Sequence, residues 1–456
     1  MKAETKLNPR VILAYVACSV AAALLLVWLA VPSPNNAAET PALHKRIPVY
    51  YWHMWSGEWQ PIMDHVCDEF NASQTKYEVI PLQVPAEEGD QKFLLSVAGG
   101  DPPDVMTQWT PAIAAWAQDG VLQPLDTRMT GAERDYFMNR TFPVVHENGW
   151  YKGHLYGYLV TFDVNACYYQ PSQFKAAGLD PDNFPTTLES LVSDTDKLTS
   201  YDSSGRITRL GFLPSLLSEY AGSFGGGFYD QKTGNVLIST PQNLRALQFI
   251  TGTHKALGFD KILRYNAGLG SDDGANWPFI TGQVAVTLEG EWRVKQLADY
   301  APKLDYRVAI MPPPTGGVAD SSWSDVSYLT IPTGAKHPDG AWAFIKFWRG
   351  LDDPVGAAKY KTWFGWLPDS PQMANAPIYQ EYLKKYPQYR AFVTLAASKH
   401  IVTLPPVPYS IFLQDHIIND DDLAERGAVS PAAALDLLQG QVLQQQSQRK
   451  ALGYDQ

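Results

Sequence analysis

Residues 279–292 read F-I-T-G-Q-V-A-V-T-L-E-G-E-W. Gly282 closes one element, and the run 284–288 that follows is almost wholly apolar and β-rich. Such a run predicts a strand buried on both faces. Glu289-Gly290-Glu291-Trp292 stands at its carboxyl end, and Val294, Leu297 and Ala298 mark a helix beyond. In open α/β sheets, ligands lie just outside the carboxyl ends of strands. A glycine there admits close backbone approach, two carboxylates accept hydrogen bonds, and an indole offers a flat apolar face. Taken alone, the stretch is equally an ordinary strand-to-helix turn with a core tryptophan. The same grammar elsewhere in the chain decides for a binding site.

Residues 47–52 predict a strand that ends in His53-Met54-Trp55-Ser56-Gly57-Glu58, followed by a helix with Pro61 in its first turn. Residues 77–82 form the next strand, 89–98 a helix stopped by Gly99-Gly100, and 104–107 a strand opening onto Gln108-Trp109. This alternation implies a parallel sheet. Further on, 153–158 and 165–169 are strand-like, with 159–164 joining them. Residues 174–178, 188–199 and 241–256 are helical, with Thr186 or Thr187 and Thr240 as N-caps. The glycine-rich segment 222–227 lacks the spacing of a phosphate-binding fingerprint and reads as a flexible loop. Residues 306–311 and 328–331 are strands. Pro338 opens a helix whose buried stripe is Ala341, Phe344, Ile345 and Trp348. Ser430-Pro431 starts a last helix through Leu438, and the Gln-rich tail from Gln439 reads as soluble surface.

With 456 residues, 45% of them hydrophobic, the chain can bury two separate cores. A net charge of -11 without a basic stripe argues against a nucleic-acid partner. The 14 Trp and 24 Tyr exceed ordinary core packing, and flat rings are what pyranoses stack on. Cys18, Cys67 and Cys167 make no disulfide framework, so Cys67 and Cys167 read as free buried thiols. Residues 11–31 are uncharged, apolar and about the ~20 residues that span a bilayer. Lys2, Lys6 and Arg10 precede them, which keeps residues 1–10 cytoplasmic and sends the bulk outside. The length favours an uncleaved transmembrane anchor over a signal cleaved near Ala37-Ala38. Cys18 stands too early in the run for lipidation, and 32–46 reads as a linker. No H-E-x-x-H, G-x-S-x-G or Walker motif appears, and neither a metal nor a cofactor is called for. Asp272-Asp273 and Asp420-Asp421-Asp422 read as solvated loops.

In order and spacing these segments resemble the extracytoplasmic solute-binding proteins of sugar-type ABC transporters, relatives of maltose-binding protein. The resemblance runs from about Val49 to Leu438. It rests on Ala98-Gly99-Gly100-Asp101-Pro102-Pro103-Asp104-Val105, Gly120-Val121-Leu122-Gln123-Pro124-Leu125-Asp126, the 156–179 stretch, 279–292 and the 334–348 helix. Two departures are Tyr168-Tyr169, where the family has Tyr-Asn, and the anchor in place of a short or lipidated signal. The resemblance implies an α/β, two-lobed periplasmic-binding-protein fold with a hinge and interlobe cleft. Lobe 1 would be 47–160 with 311–370, and lobe 2 163–306 with 371–456. Crossings would fall near 160–163, 306–311 and 370–374. It further implies a sugar, an oligosaccharide by preference, delivered to a membrane permease by a monomeric, non-catalytic protein outside the cytoplasm.

Matched segment by segment, Trp55, Ser56, Glu58, Gln108 and Trp109 would line the first lobe's wall, and Asp163 would follow the first crossing. Glu289, Glu291 and Trp292 would face them, and Tyr409 would stack on the sugar. Trp277, Trp323, Tyr328 and Trp366 are second-tier candidates, and His53 beside them is a structural histidine. Carboxylates and amides bridge vicinal hydroxyls while an aromatic ring covers the apolar sugar face. The absence of an Arg/Lys cluster at these positions argues against a phosphorylated ligand. Two rivals share the composition: an anchored glycoside hydrolase, which needs two carboxyls set across a bond, and a binding module feeding a sensor.

Overall fold

The computed structural model describes residues 46–109, 111–230, 233–270 and 274–454. The anchor and linker expected at 11–46 lie outside this range apart from Arg46, and so do Asp272 and Asp273. Among the described residues no helix is long and apolar enough to cross a membrane. The organising strands are β1 (Ile47–His53), β2 (Tyr77–Gln83), β3 (Val105–Trp109), β4 (Tyr158–Phe162), β5 (Asn165–Tyr169), β6 (Val286–Gly290), β7 (Arg307–Ala309), β8 (Ser321–Trp323), β9 (Val326–Thr330) and β10 (His400–Val402).

The expected strand–helix alternation forms the first half. Helix Gln60–Ser73 joins β1 to β2, and helix Ala86–Ala98 joins β2 to β3. The former buries Met63, Val66, Cys67 and Phe70, a stripe at helical spacing that can only be covered by the sheet. β1 and β3 run parallel, with Tyr51 opposite Val105. The sheet order is β2-β1-β3-β9-β4, and β9 is antiparallel to both its neighbours. Helix Pro338–Arg349 buries the expected Ala341, Phe344, Ile345 and Trp348, and Gly350 ends it in a left-handed conformation at φ 64°.

The second half holds the sheet β6-β5-β7, antiparallel throughout. The strand expected at 284–288 begins instead at Val286 and runs to Gly290, half-exposed along its middle. The reason is a second partner: Ala285 and Val286 donate to the carbonyls of Leu210 and Gly211 at 2.9 and 2.8 Å, which draws 284–285 out of register. Glu289 therefore sits inside a strand, and Glu291 is the first residue past it. Thr187 and Thr240 cap their helices as expected.

The chain passes between the sheets at Asp163-Val164 and again at Ser324-Asp325. The backbone N–H of Asp163 donates to the Asp325 carbonyl at 3.2 Å, and the Asp325 N–H donates to Asp163 Oδ1 at 2.7 Å. The return expected at 306–311 does not lie there, because Arg307, Val308 and Ala309 pair with Tyr169, Tyr168 and Cys167. Likewise 158–162 is itself strand β4, while Trp150–Tyr151 and His154–Leu155 make a separate hairpin. Helix Pro371–Ala374, capped by Ser370, belongs with helices Pro377–Lys385 and Tyr389–Ala396. These pack into one apolar core that takes in both the first sheet and Tyr168, Phe279 and Val294. A second core fills the other half around Leu217, Leu247 and Leu413.

Two surface expectations are corrected, and a third is refined. Asp420 and Asp421 lie buried in helix Ser410–Glu425, where Asp421 accepts the Leu217 N–H at 2.9 Å and so holds the start of helix Leu217–Ala221. The tail from Gln439 is surface as expected, except that it continues helix Pro431–Ala451 and buries Val442. The 222–227 loop is clamped by Asn243, whose Oδ1 accepts the Gly227 N–H at 3.0 Å while Nδ2 donates to its carbonyl at 2.9 Å. Cys67 and Cys167 are unpaired and buried, and burial pushes the Cys167 thiol up to about 12. Since the thiolate is the nucleophile, a thiol reagent should label these two positions only after unfolding, as read by peptide mapping. Labelling in the native protein would contradict that placement.

Candidate ligand-binding cleft

Two cavities adjoin through shared lining residues, and the first opens beside the crossing at Ser324-Asp325. One is walled by Trp109, Ile113, Asn148 and Trp150, floored by Ser324, Asp325 and Tyr328, and faced by Leu404, Pro405, Pro406 and Gln414. It encloses about 520 Å³, its open mouth included. The other lies between Pro143, Glu147 and Asn148 on one side and residues 226–229 with Lys399 and Thr403 on the other, about 740 Å³ on the same basis. Asn148, Leu404, Pro405 and Pro406 line both. A third groove, at Arg206, Lys261 and Arg264, is larger, about 1350 Å³ on the same basis, and involves none of the crossing residues.

The crossings gather carboxyl groups. Asp163 and Asp325 meet through the paired hydrogen bonds above, and the Trp323 indole N–H donates to Asp325 Oδ1 at 3.2 Å. Glu291 Oε2 accepts the Val164 N–H at 3.4 Å, and Glu219 Oε2 accepts from Asn165 Nδ2 at 2.8 Å. Burial, reinforced by the neighbouring acids, raises Asp163 well above the usual carboxylate range. Burial likewise raises Asp325, lifts Glu219 to about 7 against its Asn165 bond, and lifts Glu291 to about 8. A protonated carboxyl both donates and accepts, which suits a partner that carries hydroxyls. Among the described residues no group of three His, Cys, Asp or Glu is disposed to hold a metal ion.

The structure brings Asp163 and Glu291 together at this point, and sets Trp109, 45% exposed, on the cleft wall. It disperses the rest. Trp55 is buried among Trp348, Phe364 and Trp366, with the Trp366 ring centroid 5.1 Å away. Ser56 is exposed ahead of the Gly57–Trp59 turn that contains Glu58. Gln108 is buried, and its Nε2 donates to the Ala86 carbonyl at 2.7 Å, which anchors the helix start. Glu289 is paired with Arg293 at 3.0 Å, and Arg293 lies over the Trp277 ring at 4.4 Å. Trp292 folds back over Gly290, where a Cβ would come within 1.7 Å of its ring. Tyr409 is buried, its hydroxyl accepting from Gln446 Nε2 at 2.7 Å. Of the second tier, Tyr328 floors the cavity, Trp323 holds Asp325, and Trp277 and Trp366 are core. His53 is a core residue between the Tyr51 and Trp55 rings, and burial holds it down to about 4, hence neutral. Asp325, Glu219, Asn148 and Trp150 were not singled out from the sequence.

Glu291 yields a pH prediction. Its ordinary value of 4.5 rises to about 8 on burial, so the native state keeps a proton that the unfolded chain releases. The stability this contributes is complete below about pH 4.5 and is lost as pH rises toward 8, at up to about 1.4 kcal/mol per pH unit. His53 acts oppositely, adding stability as pH rises from about 4 to 6.5. Glu291→Gln should flatten the fall in unfolding free energy between pH 6.5 and 8, measured by urea titration. An unchanged slope would place the proton elsewhere.

A family profile described as bacterial extracellular solute-binding protein matches residues 57–350. The maltotriose-binding protein of Pyrococcus abyssi is 22% identical over 72% of this chain and 69% of its own. The sn-glycerol-3-phosphate-binding periplasmic protein UgpB of Shigella dysenteriae is 23% identical over 85% of this chain and 89% of its own. Among solved structures, CpMnBP1 with mannotriose bound overlays with a TM-score of 0.73 at 26% identity, covering 87% of this chain and 99% of that one. The fold is thus the two-lobed α/β arrangement in which paired crossings flank a cleft. By that profile, and by the sheets and crossings that carry it, the chain belongs to the bacterial extracellular solute-binding proteins.

Proposed function

We propose that this protein is the extracytoplasmic binding component of an ABC importer and takes a sugar into the cleft beside its crossings. The observation that carries this reading is the pairing of rings, Trp109 and Trp150 on the wall and Tyr328 on the floor, with the Asp325 carboxyl beside them. A pyranose needs both: ring faces for its apolar side and carboxyls for its hydroxyls. A relative named for maltotriose and a solved structure with mannotriose bound support a sugar, and UgpB supports a polyol phosphate as the comparison to test against. Ligand binding draws the two lobes together about Asp163 and Asp325, a population shift toward the closed form, which the permease then reads. Residues 11–31 tether the protein outside the membrane beside that permease. No bond in the sugar is broken.

The test is a thermal-shift screen against malto-, manno-, cello- and xylo-oligosaccharides, trehalose and glycerol phosphate, with the sugars analysed afterwards. A ligand at a hundred times its Kd stabilises the native state by about 2.7 kcal/mol. A shift with an intact sugar is expected. A shift with glycerol phosphate alone would move the ligand class, and a cleaved product would promote a hydrolase.

A further inference from the structure

The two cavities of the cleft share Asn148, Leu404, Pro405 and Pro406 as lining. Thr403 Oγ1, from one side of the cleft, donates to Asn148 Oδ1 on the other at 3.1 Å. The Asn148 amide is itself fixed, because its Nδ2 donates to the Val144 carbonyl at 2.8 Å and leaves only the oxygen to face Thr403. The adjacent residues Leu404, Pro405 and Pro406 continue this shared lining. They are hard to displace: proline fixes φ, and the Pro405 carbonyl is held by Ser410 Oγ at 2.7 Å and the Val407 N–H at 2.8 Å.

The cavities differ in chemistry. The first carries Trp109, Trp150 and Tyr328, the rings on which a sugar would stack. The second carries Glu147, Lys399 and the glycine-rich turn held by Asn243, groups suited to hydroxyls, with Phe228 and Tyr229 beside that turn. A saccharide lying on the aromatic walls and growing toward the second cavity meets the Asn148–Thr403 bridge.

Resting on the sugar reading above, we propose that this bridge is a length stop. The bound saccharide ends at the bridge, and its next unit finds no passage while the bridge is formed. Asn148 and Thr403 are therefore specificity-determining residues for chain length. With the bridge removed, one further unit reaches the polar groups of the second cavity.

The experiment is calorimetric titration of the full chain with mannobiose, mannotriose and mannotetraose, and with maltose, maltotriose and maltotetraose. For the wild-type protein, affinity should change by less than about threefold once the first cavity is filled, as the unit beyond the bridge adds no contact. In Asn148→Ala/Thr403→Ala the next longer saccharide should gain about tenfold relative to the shorter, the worth of about 1.4 kcal/mol of new contact. Thr403→Ala alone serves as the second variant, since it leaves the Asn148–Val144 bond in place, and it should move the ratio in the same direction. A wild-type affinity that climbs tenfold or more with each unit through the tetrasaccharide overturns the stop. So does a length ratio that neither variant moves. If no member of either series binds the wild-type protein, the sugar reading falls and the stop falls with it. If the series bind and only the ratio stays fixed, the stop alone falls.

Discussion

Asp369→Asn should destabilise the protein by about 3–5 kcal/mol, the cost of leaving buried charges without their partner. Asp369 lies between two cations in the core of the first half, paired with Lys361 Nζ at 2.7 Å and with the Arg349 guanidinium. All three side chains are no more than 2% exposed. Burial, with Arg349 adding to it, brings the Lys361 ammonium down to about 7, so this group is already close to losing its proton. Lys361 also donates to the Val160 carbonyl at 3.0 Å, and the Phe142 N–H donates to the Asp369 carbonyl at 2.8 Å. The triad thus ties the strand leading to the first crossing to the segment carrying residues 361–369. An amide at 369 keeps the shape but removes the charge. Urea unfolding measures the loss, and a change below about 1 kcal/mol, the worth of an exposed pair, would contradict it. Replacing Arg349, Lys361 and Asp369 together by Met, Met and Leu should recover most of the stability, since the burial cost of the ions goes with them.

Trp109→Ala should weaken sugar binding by about thirtyfold, roughly 2 kcal/mol, the range for an aromatic anchor at the centre of a contact. The same change should leave folding stability within about 0.5 kcal/mol, because the indole is half-exposed at the end of β3 and fills no core space. That division separates a binding role from a structural one. Trp55→Ala is the contrast: its ring sits against Trp348 and Trp366, so it should lose stability first. The pair of variants is read by calorimetry and by urea unfolding. A loss below about threefold in Trp109→Ala would take this ring out of the site.

The fold was legible where its signals are local. The β1–helix–β2–helix–β3 series, the stripe Ala341, Phe344, Ile345 and Trp348, and the Thr187, Thr240 and Ser430 caps each follow from residues within a few positions of one another. Register was not legible. The strand at 286–290 starts where it does because Leu210 and Gly211 claim residues 285 and 286. The candidate site was half legible for the same reason. Trp109 closes β3 and Asp163 follows β4, so both could be placed from strand ends. Asp325 gains its role only by meeting Asp163, 162 residues away, and Asn148 only by meeting Thr403, 255 residues away. Trp55, Glu289 and Tyr409 have the residue types a sugar site needs, yet Trp366, Arg293 and Gln446 occupy them. Composition identifies chemistry that a residue can do; packing decides whether its polar edge or ring face is left free to do it.

The most direct measurement is calorimetric titration of the protein at neutral pH with the sugar that gives the largest thermal shift, followed by analysis of the recovered sugar. Saturable binding at one sugar per chain, weakened in Trp109→Ala and with the sugar recovered intact, is the predicted result. Absence of heat with every sugar of the panel, or recovery of cleaved sugar, would contradict a cleft built to hold and release a carbohydrate.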